Sequence, residues 1–248
     1  YYSVFMKFAI ITHSLHKIND GQISAYEPYV REMNLWGEYV DEILILAPFS
    51  ENKSTSNIYV KYNRPDIEFI RVNSFDITSF KRILYSFFVI PKICFQIYKV
   101  MKSADHIHLR CPGNIGLLGC FVQILFPSKP KTVKYAGNWD PNSRQSLSYK
   151  LQKWILSSVV LSKNCKVLVY GKWKNQSKNI IPFFTASYSK NEIEEINNKT
   201  LNKTINLLFV GTFSLGKQPL LTVESVEQLL HKGYDIQLNM YGDGVEFS

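Results

Sequence analysis

Short apolar runs recur along this chain, and most are followed by a segment with helical spacing. Lys7–His13 (KFAIITH), Glu42–Ala47 (EILILA), Ile67–Val72, Asp105–Arg110 (DHIHLR), Thr132–Ala136 and Lys166–Tyr170 (KVLVY) read as strands. Runs as apolar as EILILA and KVLVY fit strands enclosed between two layers, because both sides of the pleat lack polar groups. Between them, Ser24–Leu35 sets Tyr26, Tyr29, Val30, Met33 and Leu35 on a rough helical stripe. Thr78–Lys102 is a long apolar and basic segment in which Pro91 is a kink or a break. A turn at Cys111-Pro112-Gly113-Asn114 leads into a helix through Phe126, and Ser146–Leu161 reads as another helix. His13–Gln22 and Gly137–Asn142 read as loops. The alternation predicts an α/β chain with a mostly parallel sheet covered on both faces.

The pattern then pauses and restarts. Ser189–Thr204 is polar and weakly patterned, a linker with some helical character. After it come a strand at Leu207–Val210, a helix at Gln218–Lys232, a strand at Asp235–Tyr241 and the turn Gly242-Asp243-Gly244. This divides the chain into a first domain over 1–188, a linker over 189–204 and the opening β-α-β unit of a second domain over 205–248.

Composition narrows the function classes. With 46% hydrophobic and 14% aromatic residues in 248, disorder is excluded over most of the length. The 4 cysteines, Cys94, Cys111, Cys120 and Cys165, form no C-x-x-C pair and have no clustered histidines. Neither a zinc site nor a disulfide framework is expected; reduced thiols in a cytosolic protein are. No signal-peptide order is seen at the start, and Met6 reads as the natural first residue. The net charge of +9 is concentrated: residues 81–178 hold 17 basic and 2 acidic side chains, while the flanking segments are each net −3. Such a block expects an anionic partner: a membrane surface, a phosphorylated substrate or a nucleic acid. The chain carries no nucleic-acid-binding motif. Phe80–Lys102 interleaves aromatics with lysines and reads as an interfacial membrane helix, as a helix packed on the sheet, or as both.

Two stretches carry a resemblance. VGTFSLGKQPLLTVESVEQLL followed by IQLNMYGDG resembles the opening of the donor domain of GT-B glycosyltransferases, closest to glycosyltransferase family 4. HLRCPGNIGLLG and KTVKYAGNWDP resemble segments of polysaccharide-assembling bacterial members. The resemblance implies a GT-B-like fold of two Rossmann-like domains. It implies a nucleotide-sugar donor and a lipid-linked or glycan acceptor in capsule, O-antigen or similar assembly. It also implies transfer without metal or cofactor, usually with retention, by a cytoplasmic protein peripheral to the inner membrane face. In the family, the donor domain continues for a hundred or more residues and includes a Glu-x7-Glu segment. That segment is not in this sequence, so the expectation is a C-terminally truncated chain, inactive in transfer alone.

The resemblance assigns roles residue by residue. Gly211 brings backbone amides to the donor phosphates, or serves a tight turn. Lys217 neutralises the departing diphosphate, or is a solvated lysine at a helix start. Thr212 stands where the family has arginine and offers no bidentate charge. Gly242, Asp243 and Gly244 match the turn near the nucleotide base, and Gly21, in the loop after the first strand, matches a donor-side glycine. On the acceptor side stand His13, Arg110, Asn114, Asn138, Trp139 and Lys172. Arg110 ahead of a helix N-terminus makes an anion or sugar site, or a buried ion pair. Trp139 can stack on a sugar while Asn138 bonds hydroxyls. Asp140 is the general base if the reaction inverts, or an Asx turn or helix cap near Pro141. An epimerase of the same architecture, acting on a nucleotide sugar, is the alternative activity. A truncated inactive product or a membrane-binding module is the non-enzymatic one.

Overall fold

The computed structural model describes residues 5–19, 21–51, 58–73, 80–185, 189–195 and 203–246, with backbone only at 19 and 80–88. The chain separates into two compact units, Tyr1–Ser189 and Lys190–Ser248.

The first unit is built on β1 (Lys7–Ile11), β4 (Glu42–Pro48), β6 (Glu68–Val72), β7 (His106–Cys111), β8 (Lys131–Tyr135), β9 (Cys165–Val169) and β10 (Ile180–Pro182). They form one parallel sheet in the order β10-β9-β8-β7-β1-β4-β6. The inner strands are buried on both faces, as their unbroken apolar runs require. Helix α1 (Glu27–Gly37) covers one face, where Tyr29, Val30 and Met33 meet Phe8, Ile10, Ile43 and Ile45. Helices α2 (Phe80–Ser103), α3 (Asn114–Val122) and α4 (Leu147–Ser157) cover the other. There Ile93, Ile97, Ile115, Leu118, Ile155 and Leu156 pack on Ala9, Leu44, Leu109, Val133 and Val167. This is the expected α/β architecture with a mostly parallel sheet.

Several boundaries depart from the sequence expectation. The stretch expected as a loop over 13–22 contains β2 (Lys17–Asn19), which pairs antiparallel with β3 (Gln22–Tyr26). A further strand, β5 (Tyr59–Lys61), completes a small three-stranded sheet. The helix expected from Ser24 therefore starts at Glu27, with Pro28 in its first turn. Gly21, with φ of 74°, makes the turn between β2 and β3, a conformation that favours glycine. Pro91 does not break α2, which runs through it as one helix. Helix α3 ends at Val122 and passes into a 3₁₀ turn at Gln123–Leu125; α4 ends at Ser157.

The second unit holds β11 (Ile205–Val210), helix α5 (Pro219–His231) and β12 (Ile236–Tyr241). The two strands pair in parallel, Ile205 opposite Ile236 through Val210 opposite Tyr241. A short 3₁₀ turn at Lys190–Glu192 lies within the stretch read as a linker.

Candidate functional site

In the first unit, the chain leaves β1 toward α1 and β4 on one side, and leaves β7 toward α3 and β8 on the other. Loops that diverge from neighbouring parallel strands open a crevice at their carboxyl ends, where open α/β sheets bind ligands. His13 follows β1 and meets the Pro112-Gly113 turn that follows β7. A Cβ at Gly113 would lie 2.5 Å from His13 Nδ1, so this approach requires glycine. The Gly113 amide faces Gln152 Oε1 of α4 at 3.4 Å, and Asn114 opens α3 beside it. Loss of solvent around the ring, reinforced by the Arg110 cation, holds the His13 pKa below its ordinary value. Its imidazole is therefore neutral at pH 7.

Arg110 at the end of β7 pairs with Glu32 of α1 at 2.5 Å, with side chains 14% and 6% exposed. The guanidinium also lies over the Tyr29 ring at 5.4 Å. The acid comes from 78 positions earlier in the chain, so nothing local in the sequence disclosed it. Lys134 of β8 stands opposite Arg110 in the sheet register. Its Nζ donates to Thr185 Oγ1 at 2.5 Å and lies 4.4 Å and 4.1 Å from the Tyr170 and Phe183 ring centres. Burial brings its pKa down to about 8. Sequence reasoning passed over this buried lysine, whose strand KTVKY also encloses the polar Lys131 and Thr132.

The loop after β8 is a fastened structure. Asn138 is exposed, and its Oδ1 accepts the Asp140 amide at 2.9 Å. Asp140 Oδ1 accepts the Asn142 amide at 2.9 Å, an Asx turn. Lys153 of α4 donates to the carbonyls of Trp139 at 2.9 Å and Asp140 at 3.1 Å. Trp139 itself is 1% exposed, edge-on to Tyr135, with Nε1 donating to Gln176 Oε1 at 2.9 Å. This corrects the expectation that Trp139 stacks on a sugar: its indole is buried, with Lys153 Nζ over the ring 5.3 Å from its centre. Lys172 is exposed one residue beyond Gly171. The structure thus gathers His13, Gly113 and Arg110 at the crevice. Gly21 lies apart from it, in the β2–β3 turn.

In the second unit, the loops after β11 and β12 are laced together. Gly211 N donates to Tyr241 O, Phe213 N to Asp243 O and Glu246 N to Phe213 O, at 2.9–3.0 Å. A Cβ at Gly242 would fall 1.8 Å from Gly211 O, and one at Gly244 2.3 Å from Phe213 O. Those two glycines are demanded by the closeness of the loops. Gly211 is not: its Cβ would meet only the Phe209 ring at 3.7 Å, an ordinary contact. Gly216 has nothing within 4 Å of a built Cβ. Thr212 and Lys217 are both exposed. The Lys217 amide donates to Ser214 O at 2.9 Å just ahead of α5, and Asp243 Oδ1 accepts the Gly244 amide at 2.7 Å. Among the described residues, no three histidine, cysteine, aspartate or glutamate side chains gather as a metal site.

The chain matches no known family profile and no curated protein sequence. Solved structures do resemble it. The UDP-GlcNAc 2-epimerase of Methanocaldococcus jannaschii is 13% identical with a TM-score of 0.41, over 95% of this chain and 65% of that one. MurG of Acinetobacter baumannii is 15% identical with a TM-score of 0.46, over 95% and 60%. A glycosyltransferase of Rickettsia africae is 12% identical with a TM-score of 0.47, over 99% and 70%. The chain spans a little under two thirds of the first two of these structures.

Proposed function

We propose that the chain forms part of a GT-B glycosyltransferase, in which the second unit binds the diphosphate of a nucleotide sugar and the crevice of the first unit receives the acceptor. The observation that carries this reading is the 211–217 loop. Gly211 and Gly216 are glycines that neither packing nor backbone conformation calls for: a Cβ would make only an ordinary contact with Phe209 at Gly211 and would stand in open space at Gly216. A bare backbone that the fold does not need is what close approach of a phosphate needs. Lys217 and the N-terminus of α5 add positive potential beside it.

In the transfer, the bond from the donor sugar's anomeric carbon to the diphosphate breaks and a bond to an acceptor oxygen forms. The diphosphate leaves with the bonding electrons, and the Lys217 ammonium offsets its growing charge. The acceptor hydroxyl loses its proton; Asp140 takes it if the reaction inverts. Asn138 and His13 contact acceptor hydroxyls, with Arg110 held in place by Glu32. Asn114 and Lys172 contribute from the same sheet edge. No metal or cofactor is required. The acceptor is a lipid-linked glycan of cell-surface polysaccharide assembly, met at the inner face of an anionic membrane.

Titration with a panel of labelled nucleotide sugars tests the reading in a chain expected to be inactive in transfer alone. Saturable binding, lost in Lys217→Ala, is the expected result. Inversion at sugar C2 with solvent deuterium incorporated there would instead identify the epimerase alternative. Absence of any nucleotide-sugar binding across the panel would contradict both.

A further inference from the structure

We propose that α4 is a membrane-docking helix, whose outward stripe Leu147–Lys150–Leu151–Trp154 enters the headgroup region of an anionic bilayer. The helix is apolar on two opposite sides. Its inner side, with Ile155 and Leu156, is buried against α3 and the sheet. Its outer side repeats at i, i+3, i+4 and i+7, the spacing of a second stripe two turns long, about 10 Å. Leu147 is 83% exposed and Trp154 63%, and Val160, just past the helix, is 79% exposed. A buried face needs one apolar stripe; the fold makes no use of the other.

The surroundings identify the occupant. Helices α2, α3 and α4 lie side by side on one face of the sheet. Together they contain no aspartate or glutamate, while the described side chains of α2 and α4 include Lys92, Lys99, Lys102, Lys150 and Lys153. Exposed Phe121 and Leu125 adjoin α4 by way of α3. On α2, Phe95 faces outward beneath Lys99, whose Nζ lies 4.5 Å from the ring centre. Aromatic and aliphatic side chains among cations alone match lipid acyl chains below and anionic headgroups above. No helix among the described residues is long and apolar enough to cross a membrane, so the contact is interfacial. The sequence pointed to 80–102 for this role. In the structure, the described exposed residues of α2 are Lys92, Lys99 and Lys102 with Pro91, Phe95 and Ser103, so α2 supplies charge and α4 most of the insertion.

The same helix reaches the candidate site. Gln152 meets the Gly113 amide, and Lys153 holds the carbonyls of Trp139 and Asp140. Docking through α4 therefore sets the crevice beside the bilayer surface. That consequence rests on the transferase reading; the docking itself does not.

The test is sedimentation of the whole chain with phosphatidylcholine vesicles, with and without phosphatidylglycerol, and with no nucleotide present. Binding to the anionic vesicles is expected, and Leu151→Glu with Trp154→Glu should weaken it at least ~10-fold. Lys92→Glu with Lys99→Glu should remove most of the salt-sensitive part, roughly 5-fold per lysine. Trp154→Phe should keep binding but lose most of the lipid-induced blue shift in tryptophan fluorescence. All these side chains face outward, so circular dichroism and melting should match the parent protein. No binding by the parent protein, equal binding to both vesicle types, or unimpaired binding by the Leu151/Trp154 variant overturns the proposal. Lys217→Ala should still bind vesicles. Failure to bind any nucleotide sugar with vesicle binding intact therefore counts against the transferase reading alone.

Discussion

Gly211 and Gly242 lie side by side in the second unit, yet a methyl group has opposite consequences at each. At Gly242 it would collide with the Gly211 carbonyl at 1.8 Å, and backbone cannot yield as a flexible side chain can. Gly242→Ala should destabilise the second unit by about 1–3 kcal/mol, read as faster amide exchange in β11 and β12. At Gly211 the same methyl makes an ordinary contact with Phe209. Gly211→Ala should leave exchange in the strands unchanged and weaken binding of nucleoside diphosphates ~10-fold. A destabilised Gly211→Ala would mean that the glycine serves the fold. From the sequence, Gly211 reads equally well as a tight turn or a phosphate contact, and Gly242 as a plain turn or the one near the nucleotide base. Only the distances between the two loops separate them, and those depend on how β11 and β12 pair.

At the scale of elements, what was legible follows from strand burial. β1, β4 and β9 are enclosed enough that their sequences are mostly apolar runs, and composition alone locates them. β2, β5 and β10 have three residues each, too few for a period to register. β3 was absorbed into a helical stripe because Tyr26 happens to keep step with Tyr29 and Met33. The site divided likewise. The loops at strand ends were legible, because parallel sheets put ligands there. The Glu32–Arg110 pair and the burial of Trp139 were not, since both depend on long-range packing. Helix α3 shows how closely such packing is set. A Cβ on Gly116 would stand 2.7 Å from the Arg110 carbonyl and 3.0 Å from Cys111 Sγ. Gly116→Ala should therefore lift α3 from β7 and destabilise the first unit by about 1–3 kcal/mol in urea unfolding. An unchanged midpoint would show that α3 can shift freely.

The whole molecule carries its charges unevenly, and pH exposes this. His16 and His108 are buried in the first unit, and burial lowers their pKa values from 6.5 to about 4 and about 3. Between pH 6.5 and 4 the unfolded chain takes up protons that the folded chain refuses, so stability falls as pH falls. Each histidine contributes a loss on the order of 3 kcal/mol by pH 4. The urea midpoint of the first unit should drop steeply from pH 7 to pH 4.5; a flat profile would mean the histidines gain partners on protonation. The central claim concerns the other unit: a nucleotide diphosphate sits on the 211–217 loop. The most direct measurement is hydrogen–deuterium exchange along the whole chain, with and without saturating nucleotide sugar. The account predicts slowed exchange at 211–218 and 242–244, and none of it in Lys217→Ala. Protection confined to the first unit, or none anywhere across a panel of nucleotide sugars, would contradict it.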